Sequence, residues 1–586
     1  MRFFKVFFAS LLAFIVFTLL CGVVLLIMIG KALTAEKVTI SPNGVLTLQT
    51  GQAYNEQKLV NPVNKLMGGE SAETPGLFQV LRLIDKAAGD DNIKGIYLKV
   101  DGNPNGFATT EELRDALLRF RKSGKFVIAY GEVMTQNAYY LASAADKIYL
   151  NPKGGVDFTG FASELPFVKG TLEKLEIKPE IFYCGKFKSA TEPLRETKMT
   201  DANRIQTTQF LGELYGNFLT GISQTRKIDT ATLHGYANEN LIQEAADALK
   251  YKLVDGLKYD DEVMSELKGK TNTKEDEQLN AVTLNKYNSG TDLSDGSGDG
   301  RIAVIYAQGD IVGGQSDRNN TIASEDYLQT IRKVREDKHI KAVVFRVNSG
   351  GGSALASEII WRELSLTKKV KPVVVSMGDY AASGGYYISC MADSIFAEPN
   401  TLTGSIGVFG VMFNMQDFFK NKLGVTFDGV KTAQYADLGS MGRPLTDVER
   451  KFIQNGVDST YASFKSRVVA GRKLNQAVVD SIAQGRVWSG LEAKQLGLVD
   501  RIGGIKEALA SAAALAKLKE YRLREYPEIK SPLSKLIKGL GADASLNIVK
   551  KELGINYELY QQLKEVQQMH GSIQARMLFK ELGIKN

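Results

Sequence analysis

Two long stretches of this sequence align with each other at a constant offset of 247 positions, and that duplication constrains the fold more than any other feature. Ile84, Lys86, Asp90, Ile93, Lys94 and Val100 fall on Ile331, Lys333, Asp337, Ile340, Lys341 and Val347. Gly131, Tyr139, Tyr140, Asp146, Ile148 and Pro152 fall in the same register on Gly378, Tyr386, Tyr387, Asp393, Ile395 and Pro399. Leu253-Val254-Asp255 and Leu498-Val499-Asp500 close the two copies at a similar distance. An ungapped register held this long marks one module written twice.

Each copy reads helix, strand, loop, helix, strand. In the second, Ser324 to Arg335 has helical spacing and Ala342 to Val347 is a short apolar run of strand type. The loop Asn348-Ser349-Gly350-Gly351-Gly352 follows, then a helix from about Ala354 and a strand from Pro372 to Ser376. Strands alternating with helices predict an α/β fold of two tandem βαβ modules with mostly parallel sheets. The expected layout is a start and anchor over 1–31, modules over 50–286 and 301–515, and a Gly/Ser/Asp linker over 287–300. Residues 516–586, which have no counterpart in the first copy, read as a helical extension.

Val6 to Gly30 carries no charge and would span about 37 Å as a helix, enough to cross a hydrocarbon core of about 30 Å. Arg2 and Lys5 precede it, which predicts a cytosolic amino terminus and an extracytoplasmic body. The alternative is a cleaved signal peptide ending in Ala32-Leu33-Thr34-Ala35, although the apolar stretch is longer than the usual signal core. No later run is long and apolar enough to span again.

Composition closes off several chemistries. The three cysteines, Cys21, Cys184 and Cys390, cannot build a disulfide framework or a structural zinc site. His234, His339 and His570 are far apart, so neither a histidine metal centre nor a Ser-His-Asp triad is expected. A net charge of +7 over 586 residues, with no dense basic stripe, gives no reason to expect a nucleic-acid partner.

The second copy has two glycine-bracketed loops that the first lacks, Ser349 to Ser353 and Ala381-Ala382-Ser383-Gly384-Gly385-Tyr386-Tyr387. Ser383 follows a strand and opens a helix, where free N–H groups and positive potential gather. It reads either as an exposed nucleophile or as an ordinary helix cap. The first copy has Gln136 at that position, and Asn103, Pro104 and Asn105 in place of the other loop. With histidine scarce, the candidate base is a buried lysine with a lowered pKa. Lys186 and Lys188 lie in an apolar stretch of the first copy, and Phe187-Lys188 corresponds to Tyr435-Ala436 in the second. This complementary loss suggests a Ser-Lys pair divided between copies, with Lys188 its base.

Ala381 to Tyr386, Asn348 to Gly352, Thr403-Gly404-Ser405-Ile406-Gly407 and Phe187-Lys188-Ser189-Ala190-Thr191-Glu192-Pro193 together resemble the signal peptide peptidase A (protease IV) family in its long, duplicated form. The resemblance runs from the apolar segment to about residue 515. It implies Clp-protease/crotonase-like modules and a dyad of Ser383 (nucleophile) and Lys188 (base), with Ser405 orienting the amine. It also implies a homotetramer with its sites facing inward. The family's loop commonly reads Asn-Ser-Pro-Gly-Gly, whereas Gly350 stands here for the proline. The oxyanion amides are expected from Gly384 and from either Gly351 or Gly352.

The function that follows is a membrane-anchored serine endopeptidase that degrades cleaved signal peptides in or near the membrane. It would be a single-pass inner-membrane protein with its body in the periplasm, needing no metal or organic cofactor. Two alternatives are a crotonase-like acyl-CoA enzyme, which does not need the Ser383/Lys188 pair, and an inactive membrane scaffold, which would have lost a member of it.

Overall fold

The computed structural model describes residues 2–33, 39–60, 73–293, 298–316, 318, 320–528, 571–577 and 584–585. Arg2–Leu33 form one helix, and its stretch Phe3–Val23 is long and apolar enough to cross a membrane.

The first copy is built on a six-stranded parallel sheet. Its order is Ala281–Thr283, Gly44–Gln49, Ile93–Lys99, Phe126–Met134, Lys147–Val156 and Gly256–Leu257. Regular structure therefore starts at Gly44, ahead of the expected boundary at 50. The second copy repeats the theme with Arg301–Gln308, Ile340–Ser349 and Val373–Ala382 as central parallel strands. These run near-continuously apolar, as strands buried on both faces must. Ile302, Val304 and Val344 belong to one core cluster, continuous with the first copy, while Ala303, Ile305 and Val343 belong to another. Alternate residues thus serve opposite faces of one sheet.

The duplication extends to single hydrogen bonds. Tyr139 donates to the carbonyl of Leu253 at 2.7 Å and Tyr386 to that of Leu498 at 2.9 Å. Tyr140 pairs with Glu111 as Tyr387 pairs with Glu358, and Arg226 holds Asp255 as Arg472 holds Asp500.

A third sheet joins the copies. Its order is Thr321–Ala323, Asp310–Val312, Gly351–Ser353, Ile573–Arg576, Phe409–Asn414 and Lys178–Tyr183. The last strand comes from the first copy and pairs antiparallel with its neighbour through six registered positions, from Lys178 on Asn414 to Tyr183 on Phe409.

Two expectations about the joining segments change. Helix Leu284–Gly290 reaches into the expected linker, because Tyr287 is fully buried and donates to Asp90 at 2.9 Å. The extension is not helical where it is described. Arg522–Tyr526 forms a parallel edge strand on Arg301–Ile305, and Ile573–Arg576 and Ile584–Lys585 are also strands. Residues 529–570 lie outside the described residues.

A buried ionic cluster also ties the copies together. Arg346 is fully buried and holds Glu56 at 2.8 Å and Glu112 at 2.5 Å, and Glu112 also accepts from the Ile505 amide at 3.0 Å. Arg346→Met should cost about 3–5 kcal/mol, because two buried carboxylates would lose their cation. A urea titration checks this, and Arg346→Met with Glu56→Gln and Glu112→Gln should recover much of the loss.

Candidate active site

Ser383 sits where the strand Val373–Ala382 meets the helix Gly384–Ser389. Its backbone is in a strained turn at φ 55° and ψ −113°, costing about 1–3 kcal/mol. The turn is held by its amide, which donates to the Gly404 carbonyl at 2.8 Å. Between the two readings of this serine, the geometry disfavours the cap, because the side chain makes no capping bond. Nor is Ser383 exposed: its relative accessibility is 0%.

Lys188 Nζ lies 2.9 Å from Ser383 Oγ, 3.0 Å from Ser405 Oγ and 3.2 Å from the Ser405 carbonyl. The three expected residues therefore converge, although Lys188 and Ser383 are 195 positions apart. Lys188 is 2% exposed, and burial lowers its pKa from 10.5 to about 7. That drop corresponds to about 5 kcal/mol set against the ammonium form. Among the described residues no carboxylate is hydrogen-bonded to the amine to restore the charge. Lys186 is separated from this chemistry by a turn after the strand Lys178–Tyr183. It is exposed, with its ammonium 5.9 Å from the centre of the Phe187 ring.

The glycine loops face each other beside Ser383. A Cβ added to Gly384 would stand 3.0 Å from the Gly351 Cα, so only a residue without one fits. The Gly351 amide already donates to Ser349 Oγ at 3.1 Å. Met577 donates its amide to the Gly350 carbonyl at 2.7 Å, which fixes bonded pairs two residues apart along this antiparallel ladder. The next bonded pair is Gly352 with Ala575, which aims the Gly352 amide at the strand Ile573–Arg576.

The equivalent place in the first copy is filled. Gln136 replaces Ser383, and its side-chain carbonyl accepts from the amides of Thr159 and Gly160 at 3.1 and 2.8 Å. Phe158 stands where the second copy has Ser405, at the same 247-residue offset, and is buried.

Two contributors to the lysine's placement escape a sequence reading. Gln206 donates to the Phe187 carbonyl at 3.1 Å and accepts from the Val487 amide at 3.2 Å, so it clamps the lysine segment to the second copy. Gly485, at φ 75°, packs so tightly that an added Cβ would lie 2.7 Å from the Lys188 Cβ. The turn itself is legible in the sequence as Gln484-Gly485, but its distant partner is not. Gly485→Val should displace the amine and lower kcat by about 10²-fold with an unchanged fold. Steady-state kinetics alongside circular dichroism checks this.

Among the described residues no group of three or more His, Cys, Asp or Glu side chains could hold a metal ion. The arrangement sets a hydroxyl against an amine whose ammonium form is disfavoured, beside a glycine loop, which is equipment suited to acyl transfer.

Comparison with known proteins agrees. Residues 119–274 and again 365–519 match peptidase family S49, once in each copy. Protease 4 of Salmonella typhi is 37% identical over 88% of this chain and 85% of its own length. The chloroplastic serine protease SPPA of Arabidopsis thaliana is 33% identical over 85% of this chain and 74% of its own. Protease 4 of Haemophilus influenzae is 34% identical over 90% of each. The duplicated α/β modules, the two family matches and relatives spanning most of the chain lead to one conclusion: this chain belongs to peptidase family S49.

Proposed function

We propose that this serine protease cuts extended peptides with Ser383 as nucleophile and Lys188 as general base, and that its substrates are signal peptides already cleaved from secreted proteins. The observation that carries the reading is the 2.9 Å approach of Lys188 Nζ to Ser383 Oγ in a pocket that disfavours the ammonium. Ser383 Oγ attacks the scissile carbonyl as its proton passes to the neutral Lys188 amine. Ser405 aims that amine, and the amides of Gly384 and Gly352 hold the oxyanion. The ammonium then protonates the leaving amine. A water, deprotonated by Lys188 in turn, releases the acyl group and restores Ser383.

Substrate is held as a strand, pairing its backbone with the edges beside the glycine loop. Apolar substrate side chains are proposed to be favoured in the pocket beside Ser383. The apolar helix supports membrane anchoring, and Arg2 and Lys5 at its start favour a body in the periplasm. The protein is proposed to act as a homotetramer with inward-facing sites.

Substrate class is tested with a synthetic signal peptide and a version bearing Asp at three core positions. The first should be cleaved with kcat/KM at least about tenfold higher, since each apolar side chain lost from the pocket forfeits 1.5–3 kcal/mol when fully buried. Equal cleavage of the two would sink the assignment.

A further inference from the structure

The lysine motif runs on past Lys188 to Glu192, a buried carboxylate that the proposed chemistry does not use. Glu192 opens the short helix Glu192–Arg195 and is 2% exposed. Its side chain meets the first turn of the long helix Asp201–Arg226. There it accepts from the Thr200 hydroxyl at 2.6 Å, the Thr200 amide at 3.2 Å and the Asn203 side-chain amide at 2.9 Å. Arg195, at 3.9 Å, and the positive end of the helix offset its charge.

A carboxylate only accepts, so it decides which way round its neighbours stand. Asn203 turns its NH2 toward Glu192, which leaves its side-chain oxygen to accept from Gln206 Nε2 at 3.1 Å and from Thr207 Oγ1 at 3.3 Å. Gln206 in turn presents its NH2 to the Phe187 carbonyl and to Ser189 Oγ, at 3.1 and 3.0 Å, and its oxygen to the Val487 amide. A reversed Gln206 would set oxygen against the Phe187 carbonyl and NH2 against the Val487 N–H, and would lose both bonds. The Phe187 carbonyl belongs to the peptide unit that carries Lys188, and Asn203, Gln206 and Lys188 border one small cavity.

The second copy supplies an internal comparison. Its helix Asp447–Arg472 has the same length of 26 residues, and Thr446 caps it as Thr200 caps its counterpart. Glu449 and Phe452 stand there in the places of Asn203 and Gln206, and the Phe452 side chain points to solvent. The chain of amides thus accompanies the copy that contributes the lysine.

We propose that Glu192 is a positioning residue for Lys188: through Asn203 it sets the orientation of Gln206, which holds the lysine's peptide unit and the Val487 amide of the second copy in one frame. This rests on the dyad reading above. Glu192 touches neither substrate nor reacting atoms, so its removal acts on kcat and spares KM.

Full-length variants assayed on a peptide substrate, with thermal melts alongside, test this. Glu192→Gln should lower kcat about tenfold, because a neutral amide can face Asn203 either way round and forms weaker bonds than a carboxylate. Asn203→Asp sets a second carboxylate against the first and should lower kcat about 100-fold, with KM within about threefold of wild type. Adding Glu192→Gln to Asn203→Asp should then raise kcat at least about tenfold, since the glutamine donates to the new aspartate and the aspartate's other oxygen accepts from Gln206. In a Gln206→Ala background the last link is gone, so Glu192→Gln should change kcat by less than about twofold. This second comparison decides the matter if Asn203→Asp melts too low to assay. A wild-type kcat in Asn203→Asp, a double exchange no faster than Asn203→Asp, or a full tenfold further loss on Gln206→Ala overturns the relay and leaves the dyad standing. Wild-type turnover by Lys188→Ala overturns the dyad reading and this proposal together.

Discussion

Ser383→Ala is expected to leave a folded protein whose peptide hydrolysis has fallen by at least about 10⁴-fold. The side chain that is lost makes no helix-capping bond, and its principal partner is the Lys188 amine at 2.9 Å. The strained φ of 55° is held by the amide bond to Gly404, which alanine retains. Stability should therefore change little while turnover disappears. The measurement is hydrolysis of a casein or signal-peptide substrate by purified mutant, with a thermal melt alongside. Turnover near the wild-type rate in a mutant with a normal melt would show that another group attacks the carbonyl.

The second large effect belongs to Lys188. As the proposed base, Lys188 works only as a neutral amine, and burial brings its pKa down from 10.5 to about 7. Below that value the neutral fraction falls tenfold per pH unit, so kcat/KM should climb through about pH 7 and then level off. A value so close to the ordinary histidine range means that the profile alone does not name the base; substitution does. Lys188→Arg and Lys188→Ala should both lose at least about 10³-fold, because guanidinium stays protonated throughout and fits the pocket no better. Lys186→Ala should stay within about twofold, since an exposed side chain over a ring contributes little. Parallel pH–rate profiles of the three mutants decide the matter. An active Lys188→Arg with a dead Lys186→Ala would transfer the role to the other lysine.

The elements that were legible in the sequence are those in which chemistry and period agree. The offset duplication predicted two α/β modules because buried parallel strands require apolar runs at fixed places. The reciprocal loss of Ser383 and Lys188 pointed to a shared site because neither residue is useful without the other. The joints were less legible. Tyr287 pulls a helix into a tract whose composition suggests a linker, since one buried aromatic with a hydrogen-bond partner outweighs local propensity. The strand Ile573–Arg576 could not be found from its own residues. Four residues form a strand there only because two edges distant in sequence leave them a place. Ser383 reads as exposed from its turn and is fully buried, with the distant Lys188 amine against its hydroxyl. Gly485 and Gln206 act on Lys188 across the boundary between copies, a contact that no local pattern encodes.

The third sheet also imposes an order in time. Its strands Lys178–Tyr183 and Phe409–Asn414 come from opposite halves of the chain, and Lys188, just after the first of them, faces a serine 195 residues downstream. At roughly 5–20 residues per second a ribosome needs about 10 to 40 seconds to pass from Lys188 to Ser383. Throughout that interval the emerging polypeptide carries Lys188 without the serine it comes to face. On the proposed dyad, the pair is incomplete until both halves of the chain have been made and have docked through this sheet.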